Sequence, residues 1–235
     1  MPTLLLVRHG RSTANSSGVL AGWSPGVDLD AEGRAQATAL AARLAAVPLA
    51  RVVSSPLDRC RQTVQPLLAT RPELASDLDE RIGECRYGEW TGRPLAELAQ
   101  EPLWRTVQDH PSAAVFPGPE GEALSEMSRR AVEAVREWDG RVAAEHGADA
   151  VWLACAHGDI IKAVVADALG LHLDLFQRIS VDPASVTVLR YTPLRPFLLR
   201  LGDTGDLSGL APAAPAPSGD GREQSDAVVG GATGT

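Results

Sequence analysis

An uninterrupted apolar run, Leu4-Leu5-Leu6-Val7, halted abruptly by Arg8-His9-Gly10, constrains this chain more than any other stretch. Four consecutive aliphatic residues predict a strand buried on both faces, the kind found in parallel sheets. The residues that end the run carry chemistry. A cation, an imidazole and a glycine sit where the strand reaches the carboxyl edge of its sheet, which is where open α/β folds keep their sites. Gly10 lets the backbone turn tightly and a ligand approach. Arg8 offers a planar fork matched to phosphate or carboxylate, and His9 can attack phosphorus through a neutral ring nitrogen. Arg and His after a strand often only mark its exit to solvent, so the rest of the chain must decide.

A chain of 235 residues is long enough for a sizeable α/β core. Its net charge of −8 argues against a nucleic-acid surface, though not against a small basic pocket. No apolar run is long enough to span a bilayer and no secretory signal opens the chain, so a cytoplasmic protein without a membrane partner is expected. The three cysteines, Cys60, Cys85 and Cys155, lack metal-like spacing and read as free thiols in a reducing compartment.

Along the chain, Asp30 should cap a helix reaching about Val47, and residues 51–54 form a second strand. Ser55 and Pro56 read as the cap and first residue of a helix carrying Arg59, which Pro66 should kink or end. A strand is expected over 73–77, followed by the segment Ile82 to Gly92, and then a Pro/Gly-punctuated loop through Gly121. The longest helix spans about Glu122 to His146, with Leu124, Met127, Ala131, Val135, Trp138 and Val142 forming one apolar stripe. A strong strand over 150–156 ends in His157-Gly158-Asp159, and the helix after it closes at Gly170. A short helix at 173–176 and strands over 177–181, 185–191 and 196–201 complete a domain placed at 1–202. Residues 203–235, rich in Ala, Pro and Gly, read as a disordered tail. Strands alternating with helices imply a three-layer α/β/α sandwich with a mostly parallel, doubly wound sheet.

Three strands thus end in reactive residues: Arg8-His9-Gly10, Ser54-Ser55-Pro56 leading to Arg59, and His157-Gly158-Asp159. In a parallel sheet these ends share one edge, so two arginines, two histidines and helix N–H groups can converge on a phosphate dianion. A metal site from His157 and Asp159 lacks a third ligand at plausible spacing. His110, His146 and His172 stand in no motif and read as structural.

In that order, "LLLVRHGRSTAN", "VVSSPLDRCRQT", "GECRYGEWTG" and "ACAHGD" resemble the histidine phosphatase superfamily, also called phosphoglycerate mutase-like, over roughly residues 1–201. The resemblance implies that His9 is the nucleophile and that Arg8, Arg59 and His157 cradle the phosphate. It places the proton donor at Glu84, with Glu80 and Glu89 as competitors. Ser12 or Thr13, Asn15 and Gly22 become secondary phosphate and substrate contacts. Neither metal nor cofactor is implied, since arginines supply the charge that phosphoryl transfer needs. A carboxylic acid would protonate the leaving oxygen and its carboxylate would then activate water.

Three positions depart from the family pattern. Asp159 replaces a small residue, Arg11 stands where Glu is common, and Gly121-Glu122-Ala123 lacks the Ser of "G-E-S". The stretch from Thr91 to Gly121 is short, with only Arg93 and Arg105 as cations, whereas mutases carry a longer basic insertion. Hydrolysis of a small phosphomonoester, releasing inorganic phosphate, is therefore favoured over a mutase reaction or a non-catalytic phosphate binder. A lid over 91–124 should set specificity, with Trp23, Tyr87, Trp90 and Trp104 as walls or core. Oligomeric state and substrate identity stay open.

Overall fold

A computed structural model describes residues 2–205. The opening run forms β1 (Thr3–Arg8), followed by the short α1 (Thr13–Ser17), α2 (Ala31–Arg43), β2 (Leu49–Ser54), α3 (Asp58–Ala69) and β3 (Ser76–Leu78). An irregular stretch comes next, with 3-10 turns at Glu80–Ile82, Gly88–Trp90 and Pro111–Ala113 and two short helices, α4 (Leu95–Leu98) and α5 (Pro102–Asp109). Then come α6 (Leu124–His146), β4 (Val151–Ala156), α7 (Gly158–Leu169), a 3-10 turn at Leu173–Arg178, β5 (Val186–Tyr191) and β6 (Pro196–Asp203).

The strands form one sheet in the order β3-β2-β4-β1-β5-β6. β3, β2, β4 and β1 run parallel, while β5 and β6 add an antiparallel edge. Alternate residues of the buried strands feed opposite faces. Leu4, Leu6, Trp152 and Ala154 pack against α6 and α7, whereas Leu5, Val7, Leu153 and Cys155 join Leu40, Leu44, Val64 and Leu67 of α2 and α3. The architecture is the expected three-layer sandwich. Each fully buried Leu or Val contributes roughly 1.5–3 kcal/mol; β1 supplies Leu4 to Val7, and β4 is apolar throughout.

β4 enters the sheet late in the chain, between β1 and β2, so the carboxyl ends of three neighbouring strands open onto one crevice. α2 closes over it tightly: a Cβ on Gly33 would lie 2.0 Å from the Arg11 carbonyl oxygen, so only glycine fits there.

Several local expectations are corrected. α3 begins at Asp58 rather than Pro56, with Leu57 at the cap position and no side-chain cap from it; Ser55 Oγ accepts the Leu57 amide at 3.3 Å, ahead of the helix. Pro66 does not end α3, which continues to Ala69; the forfeited backbone bond is outweighed by burial of Val64 and Leu67 on either side of it. Residues 177–181 form no strand: a 3-10 turn runs to Arg178, and Ile179 and Val181 are buried by packing rather than by a ladder. A short apolar run does not distinguish those two fates. β3 is shorter than expected and lies further along the chain. Residues 206–235, most of the stretch read as a tail, lie outside the described residues. No helix among the described residues is long and apolar enough to cross a membrane.

Candidate active site

His9 follows directly on β1, and its Nδ1 lies 2.7 Å from the Gly10 carbonyl oxygen. A carbonyl only accepts, so Nδ1 carries the proton and Nε2 keeps its lone pair. His157 follows β4 at the N-cap of α7. Its ring centroid stands 5.2 Å from that of His9, with the two planes inclined by 59°. Arg59 comes from the first turns of α3 and donates from Nη2 to the Gly22 carbonyl at 2.9 Å. Arg8 donates from Nη1 to the Val181 carbonyl at 2.8 Å. Glu84, on irregular backbone, places Oε2 3.8 Å from His157 Nδ1, while its Oε1 accepts the Cys85 amide at 3.0 Å. All five residues are buried, none more than 4% exposed.

Two guanidinium groups, two imidazoles and a carboxyl therefore share one desolvated cluster, and their protonation follows from that. Burial, then Arg59 and Arg8, hold His9 well below the usual imidazole range, against the pull of the Gly10 carbonyl. His157 is depressed by burial, Arg59, His9 and Arg8 in that order. Both rings are neutral near pH 7. Burial pushes the Glu84 carboxyl up to about 7, with the charge of Asp159 adding to it and Arg59, the Cys85 amide and Arg8 opposing. The Glu84–His157 approach is thus a contact between a neutral ring and an acid that titrates near neutrality, not a fixed ion pair.

The remaining candidates divide. Ser12 caps α1 and donates its backbone N–H and its hydroxyl to Asn15 Oδ1, at 3.0 and 2.9 Å, leaving the Asn15 Nδ2 as that side chain's donor for a ligand. Thr13 is exposed. Gly22 adopts φ +50°, and its carbonyl orients Arg59. The competing acids Glu80 and Glu89 are exposed. Tyr87 and Trp90 are core, packed on Phe116, and Trp104 stacks on Trp90. Trp23 instead lies under the Arg86 guanidinium, 4.1 Å from its ring centroid, and donates to the Glu84 carbonyl. Arg11 pairs with Asp30 and Glu32 of the α2 N-terminus. His110, His146 and His172 are surface residues beside carboxylates.

Asp159 turns into the protein. Its Oδ2 accepts the Tyr87 hydroxyl at 3.1 Å, and its Oδ1 lies 3.6 Å from the buried Lys162 Nζ. Ser55, read from sequence as a helix cap, is a site residue missed: its Oγ lies 2.8 Å from His157 Nε2. Thr63 was also missed. It takes the Gly10 amide on its Oγ1 at 2.9 Å and ties α3 to the turn after β1. Among the described residues no group of three His, Cys, Asp or Glu side chains is placed to hold a metal.

Fold and cluster together define an α/β protein with two histidines, two arginines and a carboxyl gathered at a sheet edge. The chain belongs to the histidine phosphatase superfamily (branch 1), whose family model matches residues 4–204. It is 29% identical over 184 residues to a 2,3-bisphosphoglycerate-dependent phosphoglycerate mutase of Gloeobacter violaceus, covering 77% of this chain and 82% of that one. It is 30% identical over 161 residues to a probable phosphatase of Schizosaccharomyces pombe, covering 68% and 70%. The solved structure of YhfR from Bacillus stearothermophilus superposes with a TM-score of 0.77 at 27% identity, over 86% of this chain and 98% of that one.

Proposed function

We propose that this chain hydrolyses small phosphomonoesters through a phosphohistidine on Nε2 of His9. The observation that carries the reading is the Nδ1–Gly10 contact on a buried, neutral imidazole, which leaves the Nε2 lone pair unprotonated on a ring surrounded by Arg8, Arg59 and His157. The two guanidinium groups and His157 hold the equatorial phosphate oxygens, where charge is stabilised in phosphoryl transfer. Ser12 or Thr13, Asn15 and Gly22 would supply secondary phosphate and substrate contacts, and the Gly22 carbonyl also orients Arg59.

In the first step His9 Nε2 bonds to phosphorus as the ester P–O bond breaks, and the Glu84 carboxyl gives its proton to the departing oxygen. In the second step water attacks the phosphohistidine, the Glu84 carboxylate takes the water's proton, and the N–P bond breaks. Inorganic phosphate leaves and the enzyme returns to its starting state. An acid with a pKa of about 7 suits both halves of this cycle.

The stretch from Thr91 to Gly121 supports hydrolysis over mutase chemistry. Its only two cations, Arg93 and Arg105, lie in separate surface ion pairs with Glu101 and Asp109, so the stretch gathers no cluster of positive charge for a second phosphate. The likeness to a mutase keeps phosphate migration as the second reading. Three buried free thiols favour a reducing, cytoplasmic setting.

The test is to incubate the protein with phosphorylated sugars, glycerates and nucleotides in EDTA without bisphosphoglycerate. Inorganic phosphate should be released, and an acid-labile phosphoenzyme should be trapped on rapid quenching. Stoichiometric phosphate migration without release would overturn the hydrolase reading.

A further inference from the structure

Glu84 belongs to no helix or strand; it lies between the 3-10 turns at Glu80–Ile82 and Gly88–Trp90. A general acid needs a fixed direction of approach, and irregular backbone does not supply one. Here the direction is set from α6. Arg130 donates from Nη1 to the Arg81 and Gly83 carbonyls at 2.7 and 2.8 Å, and from Nη2 to the Glu84 carbonyl at 2.9 Å. Its Nε and the second Nη2 proton go to the two carboxylate oxygens of Glu122. A guanidinium has five N–H donors, so this one is fully committed.

Glu122 extends the grip. Its Oε1 also accepts the Arg86 amide at 2.8 Å, and its own amide donates to the Arg86 carbonyl at 2.9 Å. From the other side, Trp23 Nε1 donates to the Glu84 carbonyl at 2.6 Å. The indole lies so close to Gly83 that a Cβ there would stand 2.4 Å from it. Beyond the Ile82 and Gly83 amides of the preceding 3-10 turn and the Glu122–Arg86 backbone bond, the backbone from Arg81 to Arg86 is held by side chains, and its most heavily bonded carbonyl belongs to the residue that bears the acid.

We propose that Arg130 and Glu122 are positioning residues for proton transfer, forming a fork that fixes the Gly83–Glu84 backbone and so the aim of the Glu84 carboxyl. The proposal rests on the reading of Glu84 as the proton donor. Lysine would keep the charge but present a point donor in place of a planar fork, so it cannot hold three carbonyls and a carboxylate at once.

Leaving-group dependence separates this role from general support of the fold. An alkoxide needs a proton to depart and a p-nitrophenolate hardly does. The readout is kcat/KM for β-glycerophosphate divided by kcat/KM for p-nitrophenyl phosphate, measured on one preparation so that any inactive fraction cancels. Glu84→Gln should lower this ratio by about a hundredfold to ten-thousandfold. Arg130→Lys should lower it in the same direction by about tenfold or more, and Glu122→Gln by less, because Arg130 keeps its three carbonyls. If Glu84→Gln leaves the ratio unchanged, Glu84 is not the donor and the positioning role falls with it. If Glu84→Gln lowers the ratio but Arg130→Lys reduces both substrates equally, Arg130 is structural and the proposal is wrong. Should Arg130→Lys fail to fold, an unchanged ratio in Glu122→Gln overturns it equally.

Discussion

The proposed cradle and the proposed acid reach one buried cluster by different constructions. Arg8, His9 and His157 emerge from adjacent parallel strands and Arg59 from the helix after a third, so backbone ladders and core packing set their places. Glu84 hangs from a loop whose shape is set by side-chain donors from Trp23 and Arg130. On the proposed mechanism, the groups that bind or attack phosphorus sit on the regular framework, and the group that would lose and regain a proton sits on irregular backbone. Changes in the cradle should therefore damage every substrate alike, whereas changes around the acid should depend on leaving group and pH.

The largest effect should come from the cradle. His9→Ala should lower phosphate release by at least about ten-thousandfold with alkyl and aryl esters alike, as removal of a covalent nucleophile does elsewhere. The fold should survive, as circular dichroism would show. Acid stability supplies a second check. His9 is depressed in the folded state, so its contribution is present above its unfolded value near 6.5 and is lost as pH falls below it. The variant should therefore lose stability less steeply than the parent on acidification below that point.

Glu84→Gln should come next, and here the two constructions part: a fall of about a hundredfold to ten-thousandfold with alkyl esters and far less with p-nitrophenyl phosphate. Equal losses on both would erase the distinction between acid and cradle. Stability again has a definite sign. A carboxyl raised to about 7 contributes stability that is present below its unfolded pKa and lost as pH climbs through about 7. Glu84→Gln should thus gain thermal stability relative to the parent above that pH.

The same contrast explains what could be read from the chain alone. Leu4 to Val7 and residues 150–156 are short continuous apolar runs closed by polar and glycine residues, which favours buried strands, so their ends, and the Arg8-His9 and His157 placed there, were legible. Glu84 was reached only through the resemblance, because nothing local tells a buried loop acid from a solvated one such as Glu80. Ser55 misled because a serine before a proline at a helix start is an ordinary cap signal. Its long-range bond to His157, 102 positions away, leaves no local trace. Arg130 was invisible for the same reason, since it looks like one more cation on a helix, and Glu122 was noticed only as part of Gly121-Glu122-Ala123, with no partner to suggest its role.

Ser55→Ala tests whether the cradle is as rigid as its ladders imply. Losing the bond to a buried neutral imidazole costs about 1–3 kcal/mol if nothing replaces it. Activity should fall roughly tenfold on both substrate classes, at 1.4 kcal/mol per decade. A loss confined to alkyl esters would mean that His157 serves the acid rather than the phosphate, and the boundary between the two constructions would have to be redrawn.

Asp159→Asn should have the smallest effect on rate and the most specific one on pH. The carboxylate is buried and accepts the Tyr87 hydroxyl at 3.1 Å, and its charge is the second contributor, after burial, to the raised Glu84 pKa. Asparagine keeps the shape and the Tyr87 bond but removes the charge, and Lys162 retains Gln177 Oε1 at 3.0 Å. The Glu84 pKa must then fall toward the usual carboxylate range. If Glu84 acts first in its protonated form, as proposed, the descending limb of kcat/KM against pH for alkyl esters should move to lower pH, while activity well below the limb stays near the parent's. With p-nitrophenyl phosphate, which leaves without a proton, the profile should not move. A limb that stays in place in the variant would mean that burial alone sets the acid. Asp159 would then be only an anchor for Tyr87 and Lys162, inherited with the first turn of α7.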